Sequence, residues 1–152
     1  MIRKYRQTDL NDVLDAWYSA SKIAHPFLNE DFLTREREMI ATVYLPSPES
    51  ETWVYKDTEK VVGFISILGN EIGGLFVHAN HHRKGIGRKL MDFAVERTGS
   101  LTLEVFEEND IGRSFYEKYG FVKIGEVMDK EIGHNQFKMA LKSSSRLKID
   151  EN

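Results

Sequence analysis

The run His81-His82-Arg83-Lys84-Gly85-Ile86-Gly87-Arg88-Lys89-Leu90 sets two glycines among four cations, where an apolar strand, Leu75-Phe76-Val77, leads into an amphipathic helix. That combination is suited to binding phosphate. The first N–H groups of a helix lack intrahelical partners and lie at its positive dipole end, so together they form an anion site. Gly85 and Gly87 let a phosphate approach the main chain, and Arg83, Lys84, Arg88 and Lys89 add positive field around it.

The glycine spacing excludes two common phosphate loops. A dinucleotide fingerprint needs a glycine or alanine three positions after Gly87, where Leu90 stands, and a Walker A loop needs its lysine after the glycine, not before it. A second segment carries more information. Leu101-Thr102-Leu103-Glu104-Val105 alternates as a strand does, and Glu107-Glu108-Asn109-Asp110 makes a turn and a helix cap. Ile111-Gly112-Arg113-Ser114-Phe115-Tyr116-Glu117-Lys118-Tyr119 reads as a helix, which Gly120 stops before Phe121-Val122 opens a new strand.

The two segments, in this order, resemble the GNAT superfamily of N-acetyltransferases. The first is similar to its pyrophosphate loop, Arg/Gln-x-x-Gly-x-Gly/Ala, with the slots falling on His82, Gly85 and Gly87. The second is similar to its strand, Asn, helix and Gly-Phe signature. The resemblance covers roughly residues 2–141 in organisation, with the specific motif residues between 69 and 121. Two positions depart from the pattern: His82 replaces Arg or Gln, and Gly112 stands where alanine is usual, at a cost of about 1 kcal/mol or less near a helix start.

The resemblance implies an α/β chain with the GNAT acyl-CoA N-acyltransferase fold: a mixed, mostly antiparallel central sheet splayed between its fourth and fifth strands and flanked by about four helices. It implies acetyl-CoA as co-substrate and no metal. The expected contacts are Leu75, Phe76 and Val77 along the pantetheine arm, His82, Arg83, Lys84, Gly85, Ile86, Gly87, Arg88 and Lys89 around the diphosphate, and Asn109, Tyr116 and Tyr119 beyond.

Acetyl transfer to an amine sets its own requirements. An alkyl ammonium has a pKa near ~10, so a base or an ordered water path must take a proton before nitrogen attacks the thioester. A tetrahedral oxyanion needs an N–H donor, which the strand around residues 75–77 can supply. The departing thiolate must be protonated or hydrogen-bonded. The family places a tyrosine near the CoA sulfur at the slot of Tyr116, while Phe115, about 100° away on the helix, reads as packing. Two carboxylates compete as base. Glu104 matches a Leu-Glu-Val slot used by relatives that acetylate protein N-termini, and Glu71 a slot used by lysine-acetylating relatives; ordered water alone is the third route.

The elements that must position these groups fit one compact unit. The chain has 152 residues, 41% hydrophobic, with formal net charge −3 and no cysteine. That length supports a single domain over residues 1–142, with residues 143–152 a polar, disordered tail. The absence of cysteine removes disulfides, zinc–thiolate sites and a cysteine acyl-enzyme, so transfer should be direct within a ternary complex. His78, His81 and His82 lack an Asp or Cys among them and do not read as a metal site. With the cations confined to one loop, a nucleic-acid partner is not expected. No apolar run approaches 18 residues and no signal-peptide pattern occurs, so the chain should be cytoplasmic and free of the membrane.

Along the chain, a strand is expected over residues 2–6, Thr8 as a helix cap, and helices over 9–21 and 31–44. Strands follow over 51–56, 60–68 and 71–78, with Gly73-Gly74 marking a bulge, and a last hairpin over 121–128 and 136–141. The acceptor should enter opposite the CoA, past the first helices and the last hairpin, with His25, Phe27 and Phe32 as wall candidates. The acceptor itself, a small-molecule or peptide amine, is not named by the sequence, nor is use of acyl groups longer than acetyl, and the state is monomer or homodimer. The reading from a different class is a catalytically silent acyl-CoA-binding sensor.

Overall fold

The structure, a computed structural model, describes residues 1–129 and 133–142. Its strands are β1 (Ile2–Lys4), β2 (Ser50–Asp57), β3 (Lys60–Leu68), β4 (Glu71–Val77), β5 (Leu101–Phe106), β6 (Val122–Asp129) and β7 (His134–Leu141). Its α-helices are α1 (Leu10–Ala24), α2 (Glu30–Met39), α3 (Ile86–Thr98) and α4 (Asp110–Tyr119). One seven-stranded sheet runs β1-β2-β3-β4-β5-β7-β6, antiparallel throughout except where β4 meets β5. The disordered tail expected from the sequence falls on residues 143–152, outside the described residues.

Two apolar layers hold the sheet. On one side Leu90, Met91 and Ala94 of α3 and Tyr119 of α4 pack with Ile65, Ile72, Leu103 and Met139 of the strands. On the other, Val13, Leu14 and Trp17 of α1 and Leu33 of α2 pack with Val54, Val61 and Phe64. Alternation along the strands assigns each side chain to a layer. Leu101, Leu103 and Val105 enter the first, which leaves Thr102, Glu104 and Phe106 on the α1/α2 side.

The helix starts correct the sequence expectation. Thr8 does not cap α1: residues Gln7–Asp9 form a 3₁₀ turn, and the Asp9 carboxylate accepts the Arg6 N–H at 2.8 Å and two Arg3 guanidinium bonds at 2.8 and 2.9 Å. Thr8 lies inside that turn, one residue short of the α1 N-cap position, and the Arg3 bonds lower the Asp9 pKa. α2 starts one residue earlier than expected, because the Asn29 side chain accepts the Phe32 N–H at 2.8 Å, and it runs on as a π-helical turn over Ile40–Tyr44.

The feature that shapes the site is the bulge at Gly73. Ser66 faces Gly74 while Ile67 faces Ile72, so Gly73 is left without a partner on β3. A bulge sharpens the local twist and turns the strand aside. β4 accordingly pairs with β5 only at Glu71–Thr102 and Ile72–Leu103. Beyond Ile72 the fourth and fifth strands part, as the resemblance implied.

Candidate active site

The loop after β4 bonds its first amides and leaves its last ones unused. A 3₁₀ turn over Ala79–His81 precedes Arg83 at φ 67° and Gly85 at φ 80°, and α3 begins at Ile86. The first bond into the helix is Lys89 N–H to the Gly85 carbonyl at 3.1 Å. Among the described residues, the N–H groups of Lys84 through Arg88 donate to nothing, which leaves five consecutive donors at a helix N-terminus. A Cβ at Gly85 would meet no atom within 4 Å, and one at Gly87 would lie 3.5 Å from the Phe115 ring, so the loop has room above it. Arg83, Lys84, Arg88 and Lys89 are exposed around it. These residues fit a diphosphate.

Two of the expected contacts are differently employed. The His82 ring folds back, its Nε2 2.7 Å from the Val77 carbonyl, and ties the loop to the end of β4. The Ile86 side chain is buried in the core, so only its N–H faces the loop. Gly85→Val is expected to raise KM for acetyl-CoA by about 10-fold with kcat little changed, because a β-branched residue is strained at positive φ. Initial rates at saturating acceptor measure this, and an unchanged KM would remove the loop from the cofactor site.

The parted edge of β4 offers main-chain groups as well. His78 N–H bonds the Val62 carbonyl at 2.7 Å, just beyond the facing pair Gly63–Val77. In an antiparallel ladder that phase turns the Leu75 and Val77 main-chain groups away from β3 and toward β5. Their side chains pack on the first core, and Phe76 packs on the second, its ring 5.6 Å from that of Phe64.

The two candidate bases share one cavity. Glu71 and Glu104 line a pocket of about 120 Å³ with Thr102, Leu103, Ile124 and Lys138. Both carboxylates lie on the α1/α2 side of the sheet. Glu104 is the residue of β5 that follows the last pair with β4, so it stands where the strands separate. Lys138 of β7 is its cross-strand partner, and both are exposed. Lys138 and Ile124 are new to the site; their approach to Glu104 follows from the β5–β7–β6 order, which local sequence does not encode.

Tyr116 lies on the other side of the sheet. Its ring packs on the first core, edge-on to Phe115 at 5.4 Å and Phe121 at 5.7 Å. Burial pushes its pKa up to about 12. Among the described residues its hydroxyl makes no hydrogen bond. Tyr119, expected as a cofactor contact, is instead a core residue: it is 3% exposed and its hydroxyl donates to Asp92 of α3 at 2.6 Å. Three residues on from Tyr116, it turns toward α3, and the Arg88 guanidinium beside the loop lies over its ring, 5.7 Å from the centroid.

Asn109 caps α4, its Oδ1 accepting the Gly112 N–H at 2.8 Å. Its Nδ2 lies 3.2 Å from Nε2 of His25. His25 and Phe27 meet Phe106 at 5.1 and 5.4 Å, and Phe27 meets His134 at 4.9 Å. Of the three expected wall residues these two therefore stand together at the end of β5. Phe32 does not join them, because its place on α2 turns it onto the second core. No group of three or more His, Cys, Asp or Glu that could hold a metal occurs among the described residues.

Comparison with known proteins bears on this arrangement. The family pattern described as an acetyltransferase (GNAT) domain matches residues 48–123. The peptidyl-lysine N-acetyltransferase YiaC of Escherichia coli K12 is 30% identical, over 80% of this chain and 82% of its own. The solution structure of apo YjaB from Escherichia coli, 26% identical, superposes with a TM-score of 0.82 over 92% of this chain and 95% of that one. An aminoglycoside 6'-N-acetyltransferase complexed with coenzyme A shares the fold at 15% identity, with a TM-score of 0.67 over 94% of this chain and 97% of that one.

Proposed function

The chain belongs to the GNAT family of acetyltransferases and transfers acetyl groups from acetyl-CoA to an amine, and from that premise we propose that its acceptor is the ε-amino group of a lysine in a polypeptide. The observation that carries this reading is the pocket lined by Glu71 and Glu104, whose β5–β7–β6 end lies open to solvent. Glu104, Lys138, Val122 and Ile124 are all exposed there. An acidic notch on an open strand face suits an ammonium on a long flexible stem, carried by a chain too large for a closed cavity. The relatives YiaC and YjaB, named as peptidyl-lysine N-acetyltransferases, support the same class.

Acetyl-CoA supplies the activated acyl group as a thioester. The free amides of residues 84–88 and the cations beside them hold its diphosphate. The main chain of Leu75 and Val77, turned toward the gap, lines the arm and offers an N–H to the carbonyl oxygen as charge develops there. Glu104, with Glu71 as alternate, takes the ammonium proton on the acceptor side. Tyr116 keeps its proton and donates a hydrogen bond to sulfur from the opposite side. The parted strands are then the opening through which the two sides meet, and attack is direct. Nothing in the comparisons favours the catalytically silent sensor.

The test is a thiol-release assay with acetyl-CoA against lysine peptides, N-terminal peptides, polyamines, aminoglycosides and free amino acids, with mass spectrometry of the products. Lysine peptides are expected to give kcat/KM at least about 10-fold above the small amines, since remote contacts add transition-state binding. Preference for a small amine would overturn the acceptor class while leaving the acetyltransferase intact.

A further inference from the structure

We propose that His25 is a positioning residue that acts through Asn109 to fix the start of α4 and, with it, the Tyr116 phenol. The inference rests on the reading of Tyr116 as the group that bonds the departing sulfur. His25 closes α1 and Asn109 caps α4, 84 residues apart, and their side chains meet at 3.2 Å. The orientation of the Asn109 amide is fixed by its other end, because Oδ1 accepts the Gly112 N–H at 2.8 Å. Nδ2 is therefore the group presented to His25. An amide nitrogen donates, so Nε2 of His25 must accept, and the ring is neutral with its proton on Nδ1.

The surroundings enforce that state. The ring lies edge-on to Phe106 at 5.1 Å and Phe27 at 5.7 Å, a setting that disfavours an imidazolium, and burial lowers its pKa to about 4. His134, the other titratable ring of the cluster, is engaged with Glu108 at 2.8 Å. Asn109 is itself buried, 7% exposed. Gly112 makes room for it: a Cβ there would stand 2.9 Å from the Asn109 amide carbon. The departure from alanine at this slot thus lets the asparagine fold inward far enough to reach both partners. Tyr116 sits one helical turn beyond Gly112, so a shift of the cap is transmitted along a rigid helix to the phenol.

Four proteins test the link: His25→Phe, His25→Gln, Tyr116→Phe and the double variant His25→Phe/Tyr116→Phe. Phenylalanine keeps the ring packing and removes the acceptor, whereas glutamine restores an acceptor oxygen. His25→Phe is expected to lower kcat by roughly 10-fold with both KM values within about twofold, as a displaced catalytic group does. His25→Gln should recover most of that loss. In the Tyr116→Phe background, His25→Phe should cost nothing further. Wild-type kcat in His25→Phe, no recovery with glutamine, or a full additional loss in the double variant would each overturn the link while leaving the Tyr116 reading intact. A fully active Tyr116→Phe protein would overturn both. Should His25→Phe not fold, Gly112→Ala displaces Asn109 from the other end: the same loss of kcat is expected, and an unchanged kcat overturns the proposal.

Discussion

Tyr116→Phe is expected to lower kcat by about 100-fold while leaving KM for acetyl-CoA within about twofold. The substitution removes one oxygen from a ring whose packing against Phe115 and Phe121 does not depend on it. The hydroxyl bonds nothing else among the described residues, so no structural partner is stranded. A loss of 100-fold corresponds to about 2.7 kcal/mol, the size of a hydrogen bond to a charged group. The pKa decides which kind of help the phenol gives. Burial raises it to about 12, far above a thiol's ordinary value of about 8.5, so complete transfer of its proton to the thiolate is uphill. In the proposed mechanism Tyr116 is therefore a hydrogen-bond donor that keeps its proton. The donor is lost only as pH rises through its pKa, and a raised value moves that loss out of the working range. The wild-type pH profile of kcat should show no decline between pH 8 and 10, where a tyrosine of ordinary pKa would begin to fail.

What local sequence encodes in this chain is the part of the site that depends on near neighbours. Gly73 falls out of register where the glycine pair stands, the amides after Arg83 are left free where the Gly-x-Gly turn stands, and Asn109 caps α4 where its spacing to Gly112 allows. Each is settled within a few residues. The placements that local sequence does not encode have the opposite character. Tyr119 and Phe32 are aromatic residues whose helical phase was legible but whose facing partners, Asp92 and the second core, were not. Lys138 became part of the site only because β7 enters between β5 and β6. The His25–Asn109 contact joins elements 84 residues apart, and no periodicity carries that information. The misplaced cap at Thr8 turns on a contact outside the turn: Arg3 of β1 holds Asp9, six residues on, in a 3₁₀ turn that contains Thr8.

Glu104→Gln is expected to lower kcat/KM for a lysine peptide by about 100-fold near pH 7, within the range of general base catalysis, and Glu71→Gln by no more than about threefold. The two share a pocket, so proximity does not rank them; the strand register does. Glu71 faces Thr102 inside the short paired segment of β4 and β5, where the strands are closed to one another. Glu104 comes one residue after the last pair, on the same side of the sheet, where the gap opens. A base must reach the nitrogen that attacks through that gap, and Glu104 is the carboxylate beside it. The pH dependence distinguishes a base from a binding charge. A lysine ammonium loses its own proton near pH ~10.4, so a missing base costs most at neutral pH and the deficit of Glu104→Gln should shrink as pH rises toward 10. A carboxylate that merely attracted the ammonium would also lose its grip as the amine is neutralised, but its removal would appear in KM and leave kcat standing. Steady-state rates for both single variants and the double variant, at pH 7 and pH 9.5, separate the cases. If all three turn over like the wild type, an ordered water chain carries the proton, and the acidic pocket serves to hold the acceptor.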